Sequence, residues 1–188
     1  MKEAQTVTAF AGTNKIASGL LKDVAGKVKT HLQSDSKSNI LIFDDNTSRQ
    51  VEIDLRGSLD SVLKRLETPE APETKTGPGR PKLGVISKEI TLLPHHWEWL
   101  AAQPGGASVT LRKLVEDAKK KFSGRDQLRA AQEATYKFML VMAGDLENYE
   151  EALRALYAKD SDQFSKQIKA WPKDIRSHLI KLTKTVFE

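Results

Sequence analysis

The chain has 188 residues, 39% hydrophobic and 29% charged, which suits one globular domain or two to three small ones. It has no cysteine, which excludes disulfides, thiolate metal sites and a cysteine nucleophile and fits a reducing compartment. The net charge of +5 is modest, so where the charge sits decides more than its size.

Residues 1–66 alternate strand and helix signals. Thr6 to Ala11 is β-prone, and Gly12-Thr13-Asn14 turns it into Lys15 to Ser18 as a hairpin. Gly19 to Gln33 follows with Leu20, Val24, Val28 and Leu32 at helical spacing. Asn39 to Phe43 reads as a compact apolar strand and Asp44-Asp45-Asn46-Thr47 as a turn. Arg49 to Leu55 reads as a further strand, with Val51, Ile53 and Leu55 on one face. Ser58 is placed to cap a short helix holding Leu59, Val62, Leu63 and Leu66. The order predicts a small α+β domain, ββαββα.

Residues 67–84 form a basic linker. Pro69, Pro72, Pro78 and Pro81, with Gly77 and Gly79, oppose regular structure. In residues 85–122 the order is strand, helix, turn, helix. Ile86 to Leu93 is strand-like, and Pro94 opens a helix through Ala102 with Trp97, Leu100 and Ala101 on one face and Trp99 off it. Pro104-Gly105-Gly106 breaks the chain. Ser108 suits the cap of the next helix, where Leu111, Leu114, Val115, Ala118 and Phe122 make an apolar stripe.

Residues 123–188 read as a helical bundle. Ser123 precedes a helix that Gly144 ends. Helices follow over 146–158 and 161–170, the second capped by Asp160 three residues before Gln163. Pro172 opens a last helix through Leu182.

The charge is uneven. Residues 1–74 hold ten Lys/Arg against eleven Asp/Glu, residues 75–125 ten against four, and residues 126–188 ten against ten. The whole surplus therefore lies in the middle segment, which is the electrostatic footprint of a nucleic-acid binder. A single strand followed by two helices also leaves a strand edge unsatisfied. The simplest donor of a second strand is a second copy, so residues 85–122 are expected to form a homodimer.

The strand Lys88-Glu89-Ile90-Thr91-Leu92-Leu93-Pro94, the Gly105-Gly106 turn and Ser108 together resemble the ribbon-helix-helix family of DNA-binding proteins. That resemblance implies a two-stranded ribbon in the major groove and a phosphate at the start of the second helix. Ser108 would then be cap and phosphate anchor, with Arg112 and Lys113 neutralising phosphates. If Ile90 and Leu92 face the core, the ribbon shows Glu89, Thr91 and Leu93 to DNA. The opposite register shows Lys88, Ile90 and Leu92. Upstream, Pro78-Gly79-Arg80-Pro81-Lys82 resembles an AT-hook, which implies that Arg80 and Lys82 reach the minor groove or the phosphate backbone. An AT-hook usually has arginine before the glycine, where this chain has Pro78.

Landmarks spread over the length, among them Thr8-Ala9-Phe10-Ala11-Gly12, Gly79-Arg80-Pro81-Lys82-Leu83-Gly84 and Trp97-Glu98-Trp99-Leu100, resemble an uncharacterised family of bacterial proteins. That resemblance implies no activity.

Little else points to chemistry. His95 and His96 are adjacent, so on a helix they diverge by about 100° and cannot share a metal in the usual i, i+4 way. Asp44 and Asp45 read as a polar turn rather than a pair of catalytic carboxylates. There is no phosphate-binding glycine loop and no dinucleotide fingerprint. No cofactor and no metal are expected. No run reaches the roughly 18 apolar residues that span a bilayer, and residues 1–10 lack the order of a signal peptide, so a cytoplasmic location without a membrane partner is expected. The reading is a non-enzymatic, dimeric DNA-binding protein, a transcriptional regulator or nucleoid-associated protein, whose terminal domains bind a protein partner, sense a signal or brace the dimer. The alternative is a protein-interaction adaptor that uses the same central strand and helices.

Overall fold

The computed structural model describes residues 5–36, 38–66 and 86–188. The chain divides into two compact units, residues 1–68 with 125–188, and residues 69–124.

In the first unit, β1 (Thr6–Ala11) and β2 (Asn14–Leu20) form the antiparallel hairpin. Gly12 turns it at a φ of +55°, a left-handed backbone that costs glycine no Cβ strain. β3 (Ile40–Asp44) runs antiparallel to the other side of β1, giving the order β2-β1-β3. Side chains alternate along a strand. Val7 and Ala9 therefore enter one core, with Ala17, Val28 and Ile42. Phe10 and Phe43 enter the other, with Phe138, Leu156 and Ile175. A strand buried on both sides needs small or apolar residues throughout, which is what β1 carries.

Helix α1 (Leu21–Ser34) closes the first core with Val24, Ala25 and Val28. Helix α2 (Leu59–Leu66) buries Val62, and Ser58 Oγ accepts from the amide of Ser61 at 3.2 Å as the expected cap. The second core is closed by helices α5 (Tyr149–Ala158), α6 (Ser161–Gln167), α7 (Lys173–Leu182) and α8 (Lys184–Phe187), with the end of α4 (Gly106–Met142). Asp160 caps α6 by accepting from the amide of Gln163 at 2.9 Å. Pro172 stands immediately before α7, and Trp171 beside it is buried, donating from Nε1 to the Glu147 carbonyl at 2.7 Å.

The mixed α+β architecture, a small N-terminal sheet followed by helices, matches the sequence reading. Two elements differ from it. The expected fourth strand over Arg49–Leu55 does not form a ladder. It meets β3 at one bridge, Phe43 with Gln50, supported by Asp44 donating to the Arg49 carbonyl and Val51 donating to that of Ile42. Beyond it the backbone carbonyls find cations. Lys29 Nζ donates to Leu55 at 2.8 Å and also to Gly57, and Arg65 donates to Asp54 at 2.8 Å and also to Arg56. The alternation of Val51, Ile53 and Leu55 survives, because all three pack against the first core.

The expected break between two helices at Ser123 is absent, and α4 runs on through it. Ser123 Oγ donates back to the Lys120 carbonyl at 3.1 Å instead of capping a new helix. Gly124 is carried inside the helix, at a cost of about 1 kcal/mol relative to alanine that its helix-forming neighbours offset. The boundary placed between residues 122 and 123 therefore falls within one helix, whose residues 106–124 belong to the second unit and 125–142 to the first.

Candidate nucleic-acid interface

The second unit, among its described residues, is an irregular segment over 86–93, then α3 (Pro94–Ala101), a turn, and the first half of α4. Proline at the first helical position and extended Leu93 before it start α3, since the missing N–H is one the helix would leave unpaired anyway. The turn needs both glycines. Gly105 has φ +89° and Gly106 φ +69°, and a Cβ on Gly105 would come within 3.1 Å of Val109.

Residues 86–93 are not paired as a strand with any described residue of the chain. The strand expectation is thus unmet within one copy. No described residue lies beside that backbone to complete a ladder.

The candidate residues fall in three places. Arg80, Lys82 and the AT-hook-like stretch lie outside the described residues. Lys88 and Thr91 are both exposed on the irregular segment. Ser108, Arg112 and Lys113 are exposed on α4. Ser108 is not the cap. The helix begins at Gly106, so Ser108 sits in the first turn, where the Gly-Gly turn has already supplied the chain reversal. Four residues separate Ser108 from Arg112, which stacks them on one helix face, and Lys113 lies about 100° further round. The amides of Ala107, Ser108 and Val109 donate to nothing outside α4 among the described residues, so the helix start keeps its donors and positive dipole end.

Arg112 and Lys113 make no ion pair among the described residues. One further cation on this half of α4 was not among the candidates. Lys120 follows Lys113 by seven positions, two turns on the same side, and it too has no ion pair among the described residues. The signal was the seven-residue spacing from Lys113, already present within the helix expected through Phe122. Lys119 differs, being 3.2 Å from Glu116. Lys121 lies over the Phe122 ring, 5.5 Å from its centre.

Neither central tryptophan is in a core. Trp97, placed there by its helical face, is 41% exposed, and Trp99, at 51%, lines an open groove between α3 and α4 with Leu92, Leu100, Leu111 and Leu114. The groove holds about 460 Å³. His95 and His96 stand on its wall, their rings 4.2 Å apart edge to face. No group of three His, Cys, Asp or Glu able to hold a metal occurs among the described residues.

In the first unit the acids are taken by structure. Asp44 accepts from the amides of Asn46 and Thr47, from Thr47 Oγ1 and from Gln5. Burial raises its pKa, but these hydrogen bonds outweigh burial and hold the carboxyl below its ordinary value. Asp45 accepts from Thr8 Oγ1 at 2.6 Å and from Lys181 at 3.0 Å. His178 is buried between the rings of Phe10 and Phe138, 5.5 and 4.5 Å away. Burial lowers its pKa to about 4, against the pull of Asp45, with Lys181 and Lys15 adding to the lowering.

The fold thus defines a small mixed α+β protein with a helical C-terminal part and an exposed basic helix start. The chain belongs to the family described as "Uncharacterized protein conserved in bacteria (DUF2239)", whose model matches residues 6–183. No curated protein and no solved structure matches it. No helix among the described residues is long and apolar enough to cross a membrane.

Proposed function

We propose that this is a non-enzymatic DNA-binding protein, a transcriptional regulator or nucleoid-associated protein, that lays two copies of residues 86–122 on the duplex. The observation that carries the reading is the exposed row on α4, Ser108, Arg112 and Lys113, with no ion pair on either cation among the described residues. Cations already held by acids release few counterions from DNA, whereas free ones contribute their full electrostatic gain. The amides at the start of α4 add a fitting site for one phosphate. Arg80 and Lys82 extend the same surplus upstream, and Lys88 or Thr91 meets the base edges according to the register of the paired strands. Sequence preference in this reading comes mostly from DNA shape, because leucine, isoleucine and a single threonine read few base edges.

A gel shift on duplex DNA across a salt series tests it. Affinity falls steeply with salt, and Arg112→Ala with Lys113→Ala, which removes two cations from each of two copies, flattens the slope by about 4 on a log–log plot. A chain that fails to shift duplex DNA at low salt ends the reading. The exposed apolar side chains of residues 86–115 favour one other reading, an adaptor whose 86–93 segment pairs with another protein's strand. It predicts no shift at low salt.

A further inference from the structure

We infer that a second copy of this chain covers the groove between α3 and α4, seating Ile86 and Ile90 of each copy over the Leu92, Leu111 and Leu114 wall of the other. The inference deepens the DNA reading and rests on it only in treating residues 86–93 as a strand that pairs.

The argument starts from area. Within one stretch of 30 residues, Ile86 is 83% exposed, and Ile90, Leu93, Trp97, Trp99, Leu114 and Val115 are each exposed by 41% or more. Together they leave roughly 700 Å² of apolar surface per copy, more than the roughly 300–600 Å² patch of an ordinary monomer and close to the ~800 Å² that each partner buries in a stable complex. Only Leu100 of the groove wall is fully buried by the chain itself.

The occupant follows from self-complementarity. One stretch carries both a concave apolar groove and projecting apolar side chains, and a two-fold axis matches groove to projection twice over. The same operation gives residues 86–93 the antiparallel neighbour that no described residue of the chain provides.

This also selects the register. Leu92 lines the groove. On a strand, residues two apart share a face, so Ile86, Lys88 and Ile90 join the Leu92 row, and Glu89, Thr91 and Leu93 face away. Thr91, rather than Lys88, is then the residue presented outward, and Lys88 reaches only the rim of the ribbon.

Light scattering on the full chain tests the inference. The wild type should run at about twice 20.9 kDa. The double variant Leu114→Lys, Val115→Lys should run at 20.9 kDa with its helical circular dichroism unchanged, since both positions are about half exposed in the single chain. Leu140→Lys, equally exposed but in the other unit, should leave the mass doubled. A wild type that stays monomeric as its concentration rises overturns the inference, as does a double variant that stays dimeric. Should the double variant lose its helices, the absence of cysteine supplies a second measurement. Single cysteines at Glu89, Ile90 and Thr91 in turn should give a disulfide-linked pair at the position nearest the axis, and no linked pair at any of the three overturns it. A dimer that shifts no DNA defeats the DNA reading alone. A monomer that shifts DNA defeats this inference and the two-copy arrangement on the duplex, and leaves DNA binding itself standing.

Discussion

Asp45, in the turn after β3, and Lys181, on α7, are joined by a 3.0 Å ion pair across 136 positions of sequence, with the aspartate side chain only 8% exposed and the lysine 57%. The two partners are therefore unequal. Asp45 also accepts from buried Thr8 at 2.6 Å, so its removal costs a charged hydrogen bond within the sheet, leaving Thr8 only Ser18 Oγ at 2.9 Å, and frees a cation at the surface. Asp45→Ala should cost about 1–3 kcal/mol in urea unfolding. Lys181→Ala should cost about 1 kcal/mol or less, because solvent screens the exposed end and Thr8 still holds the carboxylate. Equal losses for the two variants would contradict this division.

His178 makes stability depend on pH. Its pKa falls from 6.5 unfolded to about 4 folded, chiefly because burial between Phe10 and Phe138 disfavours the cation. Its contribution is complete above pH 6.5. Below that the unfolded chain takes up a proton that the folded chain refuses, so the contribution declines and is gone below pH 4. The full swing is about 3 kcal/mol. Unfolding free energies at pH 7 and pH 4.5 should differ more for the wild type than for His178→Leu, whose core has no proton to accept.

Gly124, inside α4, and Gly105, in the turn before it, should answer oppositely to alanine. Gly124 is helical with open space where a Cβ would stand, so Gly124→Ala should stabilise by about 0.5–1 kcal/mol. Gly105 holds φ +89° with Val109 at 3.1 Å, so Gly105→Ala should destabilise by about 1–2 kcal/mol. Thermal melts of the two variants separate the cases by sign.

On α4, Lys120 is unpaired among the described residues and Lys119 is held by Glu116. Lys120→Ala should lower the salt slope of DNA binding by about 2, one contact from each of two copies, and Lys119→Ala by less. The slopes of the two single variants, measured on one duplex, check this.

The features legible in the sequence were those set by near neighbours. The Thr6–Ala11 hairpin, the Asp160 cap, the Pro94 helix start and the Gly105-Gly106 turn each depend on a few adjacent residues, and each stands where its spacing placed it. The failures turn on distant or ambiguous partners. Arg49–Leu55 has a strand's alternation, but Lys29 and Arg65, from other elements, decide where its carbonyls bond. Ser123 can start a helix or bond back within one, and its own position cannot say which. The groove needs Leu92, Trp99 and Leu111 brought together from three segments, so no spacing could announce it. Of the candidate site, Arg112 and Lys113 stand exposed as expected, while Ser108 moved from cap to first turn.

The suspension of residues 54–57 from two side-chain cations has a dynamic counterpart. A ladder opens cooperatively, whereas this stretch is tethered by Lys29 and Arg65, whose grip weakens without disturbing β1 between its two cores. Amide protons of residues 52–55 can therefore trade with deuterium through a small local opening, while those of β1 wait for the whole first unit to unfold.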